Sequence, residues 1–193
     1  NPLNVSKNIP KSIKMEIYSL PSEITLRGEG HRIRCDFRPI FDILIAFEDN
    51  ELSDEEKLMV LVDILYIDKP SYENIGDAIK EGLKFINLGQ ENEDDGGNVP
   101  RILSYKLDAV YIFSAVDGQL GYSSRSCKFL HWWEFMGAFM NIGECFLSTL
   151  MHQRKLKMEG KHDKKWWNEN RSIAELKSVK NEEDEILKIL NGW

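Results

Sequence analysis

Twelve consecutive residues, Phe129 through Met140, leave little room for water around them. Wound as a helix at about 100° per residue, Leu130, Trp133, Gly137 and Met140 form one seam. Trp132, Phe135, Met136 and Phe139 fill the adjoining one, and only His131, Glu134 and Asn141 are left for a narrow polar strip. A helix that is apolar almost all round is buried by its neighbours. The spacing therefore predicts a central core helix from Phe129 to Ile142, interrupted at Gly143. It falls well short of the roughly 20 residues needed to span a bilayer, so it predicts a core element and no membrane contact. An unpaired buried imidazole would cost about 1–3 kcal/mol. His131 is thus expected to bond a carboxylate or carbonyl, with Glu134 as one candidate.

The rest of the chain supplies partners for that helix. Residues 1–22 contain Pro2, Pro10 and Pro21 and read as an arm. Ile24 and Leu26, then Ile33 and Cys35, alternate with polar residues around Gly28 and Gly30, which predicts a β-hairpin with both glycines at positive φ. Asp36 precedes a helix with Phe37, Ile40, Phe41, Leu44 and Ile45 on one face, and Pro39 fits its first turn. Ser53 and Glu56 form a capping-box pattern ahead of the stripe Leu58, Leu61, Val62 and Leu65. A third helix over 71–88 turns Ile75, Ala78, Ile79, Leu83 and Ile86 inward and stops at Gly89. Residues 90–98 form a polar, acidic loop. A further helix over 102–116 would face the core with Leu103, Leu107, Val110, Ser114 and Ala115, while Gly118 and Gly121 break the chain. Helical pieces follow over 145–157, after Asp163 or Asn170, and over 182–190. The expected architecture is mainly α: a helical bundle with a small N-terminal β-hairpin (23–157) and a detachable, charged C-terminal helical extension (158–193).

Charge is distributed unevenly. The stretch 41–99 carries 16 Asp and Glu against 4 Lys, a balance of −12, whereas 153–180 carries 9 Lys and Arg against 4 acids, a balance of +5. Such polarity suits docking to a partner or solubility. Lys161, Lys164 and Lys165 flank Trp166 and Trp167, the one interleaving of base and aromatic that resembles a nucleic-acid surface. A solvated basic helix with two packing tryptophans is the simpler explanation, and no nucleic-acid partner is expected. Three cysteines, an odd number without close pairing, point to a reducing compartment, and no basic segment with an apolar one after it opens the chain.

Catalytic and metal chemistry finds little footing. Glu91, Glu93, Asp94 and Asp95 lack the ligand spacing of a calcium loop. Cys127 with His131, and Cys145 with His152, lack the tight cysteine knuckle of a structural zinc site. Cys127, His131 and Glu134 lie along one helix and cannot by themselves enclose a substrate. No phosphate-cradling loop or nucleophile elbow is present in the sequence. The expectation is a protein that is not an enzyme and takes no cofactor or metal.

The run Leu130-His131-Trp132-Trp133-Glu134-Phe135-Met136 resembles the Leu-His-Trp-Trp-x-Phe box of a family of small phage and prophage proteins encoded between the tail-tube and tape-measure genes. Phe41 to Tyr66, Ile79 to Gly89 and Tyr105 to Phe113 resemble further segments of that family in the same order, and Arg154 falls where the family has an arginine closing the helix after the box. The resemblance covers roughly residues 36–177. It implies a tail-assembly chaperone of the host cytoplasm that binds the tape-measure protein, the tail-tube protein or both, with a homo-oligomer allowed. The alternative is a structural component retained in the virion tail. Structural or partner-facing candidates are Asp108, His131, Trp132, Trp133, Phe135, Arg154, Trp166 and Trp167. Asp108 and Arg154 are expected to form a partly buried ion pair bracketing Trp132 or Trp133. The tryptophans of the C-terminal portion, Trp166, Trp167 and Trp193, either face a partner or cap the bundle.

Overall fold

A computed structural model describes residues 19–91 and 101–176. The expected arm over 1–18, most of the acidic loop, the terminal helix and Trp193 lie outside the described residues. The chain is mainly helical with one N-terminal hairpin, as its periodicities predict.

Strands β1 (Glu23–Leu26) and β2 (Glu29–Arg32) pair antiparallel, with Leu26 opposite Glu29. Only Arg27 and Gly28 lie between them, at φ of 49° and 91°. Two successive positive-φ residues twist as the flanking strands do, which favours such short loops. Gly30 is therefore not a turn residue: it sits in β2 opposite Thr25. Beyond the hairpin, Arg34 N–H donates to Leu65 O at 2.8 Å and Ile67 N–H to Arg32 O at 2.9 Å, so the hairpin exit is laced to the end of a later helix.

Helix α1 (Phe37–Glu48) is capped by Asp36, whose side chain accepts from Arg38 N–H. It buries Phe37, Ile40, Phe41 and Ile43, while Leu44 and Ile45 are only half-buried. Helix α2 (Asp54–Leu65) starts in the expected capping box, with both reciprocal bonds between Ser53 and Glu56 present. A 3₁₀ turn (Tyr72–Asn74) leads into α3 (Ile75–Ile86), which buries Ala78, Gly82 and Phe85. A Cβ on Gly82 would lie 2.7 Å from Leu61 Cδ2, so glycine there permits the close approach of α2 and α3. Tyr66 fastens the same contact by donating its hydroxyl to Ala78 O at 2.8 Å. Burial, aided by the charge of Glu81, pushes that phenol well above its ordinary range.

The next helix begins later than its apolar pattern suggests. Helix α4 spans Ala109–Leu120, and Ile112 and Val116, rather than Val110, Ser114 and Ala115, are its fully buried residues. The cause is a carboxylate from α1. Glu48 accepts from Ser104 Oγ at 2.8 Å, Tyr105 N–H at 2.7 Å and Lys106 N–H at 3.3 Å, holding 104–106 in a turn. Gly118 lies within α4, and Gly121 ends it in the left-handed conformation.

Helices α5 (Trp132–Met140), α6 (Phe146–Met158), α7 (Lys164–Glu169) and α8 (Arg171–Ala174) complete the described chain. The main core gathers side chains from the hairpin and from α1 to α6. A second, small core joins Leu150 of α6 to Trp167 and Ala174. Residues 159–174 are thus folded back on α6, where the charge pattern suggests a detachable extension. No described helix is long and apolar enough to cross a membrane.

Candidate functional site

The tryptophan box begins with two helix starts locked side by side. Asp36 and His131 face each other in an antiparallel bridge, in which Phe37 N–H donates to Leu130 O at 3.0 Å and Trp132 N–H to Cys35 O at 2.8 Å. Each bridge residue caps the helix that follows it. Asp36 also accepts from Leu130 N–H at 3.0 Å, so its one carboxylate serves both strands of the bridge. His131 is not inside the helix, as its place in the apolar run suggests, but extended at its N-cap. Its Nδ1 accepts from Trp133 N–H at 3.0 Å. An imidazole nitrogen that accepts carries no proton, so the proton sits on Nε2, which donates to Pro21 O at 2.9 Å. The expected pairing with Glu134 is therefore replaced by two backbone partners, and Glu134 is exposed.

The two indoles then finish α3. Trp132 Nε1–H donates to Ile86 O at 2.8 Å and Trp133 Nε1–H to Phe85 O at 2.9 Å. Carbonyls at a helix C-terminus otherwise lack intrahelical donors. Phe135 stacks on Phe37 with centroids 4.7 Å apart and on Trp132 at 5.8 Å. His131, Trp132 and Phe135 are buried, so they form an internal scaffold and not a contact surface. Trp133 is half-buried against Gly89, where a Cβ would lie 3.3 Å from its Cη2.

Asp108 and Arg154 do form an ion pair, and it is more enclosed than the sequence suggests: the residues are 1% and 3% exposed. The pair is bidentate, with Nη1 to Oδ2 at 2.6 Å and Nη2 to Oδ1 at 3.0 Å. Arg154 also donates from Nε to Ala174 O, from Nη1 to Ile102 O and from Nη2 to Ile173 O. All five guanidinium N–H groups are thereby used. Asp108 further accepts from Ser104 N–H at 2.8 Å. These bonds do not bracket Trp132 or Trp133, whose indoles are held by α3. They fasten the turn before α4, helix α6 and the end of α8 into one unit.

Over that unit runs an aromatic strip. Tyr111 of α4 lies 4.9 Å from Phe146 of α6, and Phe146 lies 6.5 Å from Trp166 of α7, measured between ring centroids. Phe146 is 40% exposed, and Val110, beside Tyr111, is 63% exposed. Trp166 and Tyr111 are half-buried. Trp167 points the other way, 7% exposed in the second core, with Lys157 Nζ 4.9 Å from its ring centroid. The adjacent cations Lys157, Lys164 and Lys165 are exposed and pair with no carboxylate among the described residues. Desolvation, then the charges of Lys157 and Lys164, hold the His162 imidazole below its ordinary value.

Of the sequence candidates, only Trp166 reaches this surface well. Tyr111 and Val110 were missed because their placement depends on where α4 starts, and Phe146 because its ring neighbours, Tyr111 and Trp166, are distant in the chain. With α4 beginning at Ala109, Val110 leaves the core stripe it seems to belong to. Among the described residues, no group of three or more His, Cys, Asp or Glu side chains is placed to hold a metal ion.

Residues 17–179 match the family model described as Bacteriophage Gp15 protein. That match spans every described element, from the hairpin to α8. No curated protein and no solved structure matches the chain.

Proposed function

The chain belongs to the bacteriophage Gp15 protein family, and from that premise we propose that it is a tail-assembly chaperone, binding the tape-measure protein, the tail-tube protein or both before they polymerise. The observation that carries this reading is the continuous strip of Tyr111, Phe146 and Trp166, with Val110 exposed beside it, at the surface of the fold. A long helical client exposes apolar seams before assembly, and an aromatic strip of this kind receives an amphipathic helix by its anchor side chains. Tyrosine and tryptophan supply much of the energy at such contacts. Beneath the strip, the Asp108–Arg154 pair ties α4, α6 and α8 together. Two of the three elements that carry the rings, α4 and α6, are thus held in register before a client arrives, which lowers the ordering cost of binding. The role is one of binding and not of catalysis.

The experiment is co-expression of this chain with the tape-measure and tail-tube proteins of its own locus, with complex mass read by light scattering. A soluble complex with a client that is insoluble alone, weakened by Phe146→Ala or Trp166→Ala, is the expected result. No complex with either client, and the chain recovered in purified tails, would replace this reading with a structural role in the virion.

A further inference from the structure

After Met158 the chain doubles back along α6, and the turn is made by the backbone. Gly160 sits at a φ of 72°, in the left-handed region. Its N–H donates to Lys157 O at 3.1 Å, and Lys161 N–H donates to Leu156 O at 2.8 Å, a pattern that closes a helix and reverses the chain. Asp163 N–H then donates to Gln153 Oε1 at 3.0 Å, which sets the start of α7 against α6. At the far end the Arg154 guanidinium holds Ile173 O and Ala174 O. Between these anchors α7 is seated by Trp167, and two side chains close on that indole. His162 lies with its ring centroid 5.4 Å away and its plane at 74°. Lys157 Nζ stands 4.9 Å from the same ring.

This arrangement fixes the protonation state of His162. Lys157 Nζ lies 3.3 Å from His162 Nε2. An ammonium only donates, so Nε2 accepts and the single ring proton is on Nδ1. Nδ1 is buried and has no hydrogen-bond partner among the described residues. A second proton would go to Nε2, where it meets a group that cannot accept it. The contact with Lys157 would be lost, and two like charges would stand over one indole. The other charges that act on the ring are Lys164 of α7, which adds to the repulsion, and Asp163, which opposes it. Asp163 is already committed to the N–H groups of Lys165 and Trp166 as the cap of α7. In the turn Glu159 pairs with Lys161, and beyond α7 Arg171 pairs with Glu175.

We propose that His162 is a pH-sensitive latch: the neutral ring closes α7 onto α6, and protonation releases α7, hinged at Gly160, together with Trp166 and Trp167. Closed, the latch keeps Trp166 beside Phe146; released, it takes that end of the aromatic strip apart. The latch does not depend on what the strip binds. The closed form has no place for a second proton and the released ring does, so release takes up one proton. Closure is therefore complete above the ordinary imidazole value of 6.5. It is lost progressively as pH falls from there toward the lower value of the closed form.

The test is a titration of the full-length chain between about pH 5 and about pH 8, the range in which imidazoles change charge. Proton NMR of the histidine rings follows each titration, with His162 assigned by its disappearance in His162→Gln. Backbone hydrogen exchange, corrected for its intrinsic pH dependence, follows the release of α7. His162 should titrate below 6.5. Protection over 162–170 should fall below that pH by up to about tenfold per pH unit, since one proton is taken up. Glutamine keeps an oxygen that accepts from Lys157 and has no charge to gain, so His162→Gln should stay closed across the range. His31, His131 and His152 titrate in both proteins, so the difference between them belongs to His162. Lys157→Met removes the facing ammonium and should move the His162 titration up toward 6.5. Titration of wild-type His162 at or above 6.5, the same pH dependence of protection in wild type and His162→Gln, or no shift in Lys157→Met would each overturn the proposal.

Discussion

The Trp-Trp dipeptides at 132–133 and 166–167 have the same composition and different fates. In the first, both indoles donate to carbonyls at the end of α3, and the pair is absorbed into the scaffold. In the second, the two rings part: Trp167 enters a small core with Leu150 and Ala174, and Trp166 joins the surface strip. The difference lies in what each helix packs against. Helix α5 has α1 on one side and α4 on another, so most of its perimeter is covered. Helix α7 is a short element packed on α6 and α8, with Trp167 turned into the small core and Trp166 half-buried at its edge beside Phe146. A tryptophan's role therefore follows from the partners its helix has, not from its immediate sequence.

The comparison can be broken most severely at the first pair. Trp132→Ala should destabilise the protein by about 3–5 kcal/mol, as large core truncations do. Trp166→Ala should change stability by no more than about 1 kcal/mol while weakening client binding more than about tenfold. Chemical denaturation and a client pull-down on the same two variants separate these outcomes. Equal loss of stability in both would erase the distinction.

Removing the floor beneath the second pair should be nearly as damaging. Arg154→Met leaves the Asp108 carboxylate buried without its partner and should lower stability by about 3–5 kcal/mol. Replacing both members, Asp108→Leu with Arg154→Met, should be milder than the single change, because no charge is then stranded. Denaturant midpoints for the two singles and the double give the coupling directly. Additive losses would mean that the pair is not acting as one unit.

A finer test addresses how α5 begins. His131→Ala should cost about 1–2 kcal/mol through the lost cap. His131→Asn should recover much of that, since its side-chain oxygen can accept from Trp133 N–H but cannot reach Pro21 O. Thermal melts of the two variants would show whether capping or the tether to Pro21 matters more.

The smallest effect expected is one of pH, far from both tryptophan pairs. Hydrogen bonds from Arg32, helped by its charge, hold the Asp68 carboxyl down to about 2, below its ordinary 3.8. A depressed carboxylate contributes stability above its unfolded pKa and loses it as pH falls through the folded value. The contribution should be intact near neutral pH and fade between about 4 and about 2. Because both groups are exposed, it should be small and screened by salt. An unchanged acid-unfolding profile in Asp68→Asn would show that the pair contributes nothing.

Much of the fold was legible because its signals are local. The Ser53–Glu56 capping box joins groups three residues apart, and Asp36 caps a helix that begins one residue later. The hairpin could be read from alternation, although Gly30 was assigned to a turn that needed only Arg27 and Gly28. The association of Asp108 with Arg154 was also anticipated, but its bonds to Ile102, Ile173 and Ala174 were not. Nothing near Arg154 in the chain indicates that the segment after Met158 returns to meet it. The surface strip was hidden for the same kind of reason, since Glu48 sets the start of α4 from more than fifty residues away.

The sequence by itself determined which segments are helical, which dipeptide opens the hairpin, and that the run around Trp132 must be covered. Those outcomes rest on hydrogen bonds and side-chain periodicities within a turn or two of the backbone. Only the tertiary structure decided that His131 caps a helix and does not lie inside one, that α4 starts after Asp108, and that Trp166 is half-buried beside Phe146 while Trp167 is core. Each of these turns on a donor, an acceptor or a packing face supplied from a distant part of the chain. A local pattern states what a residue needs, and the fold decides which distant group meets that need.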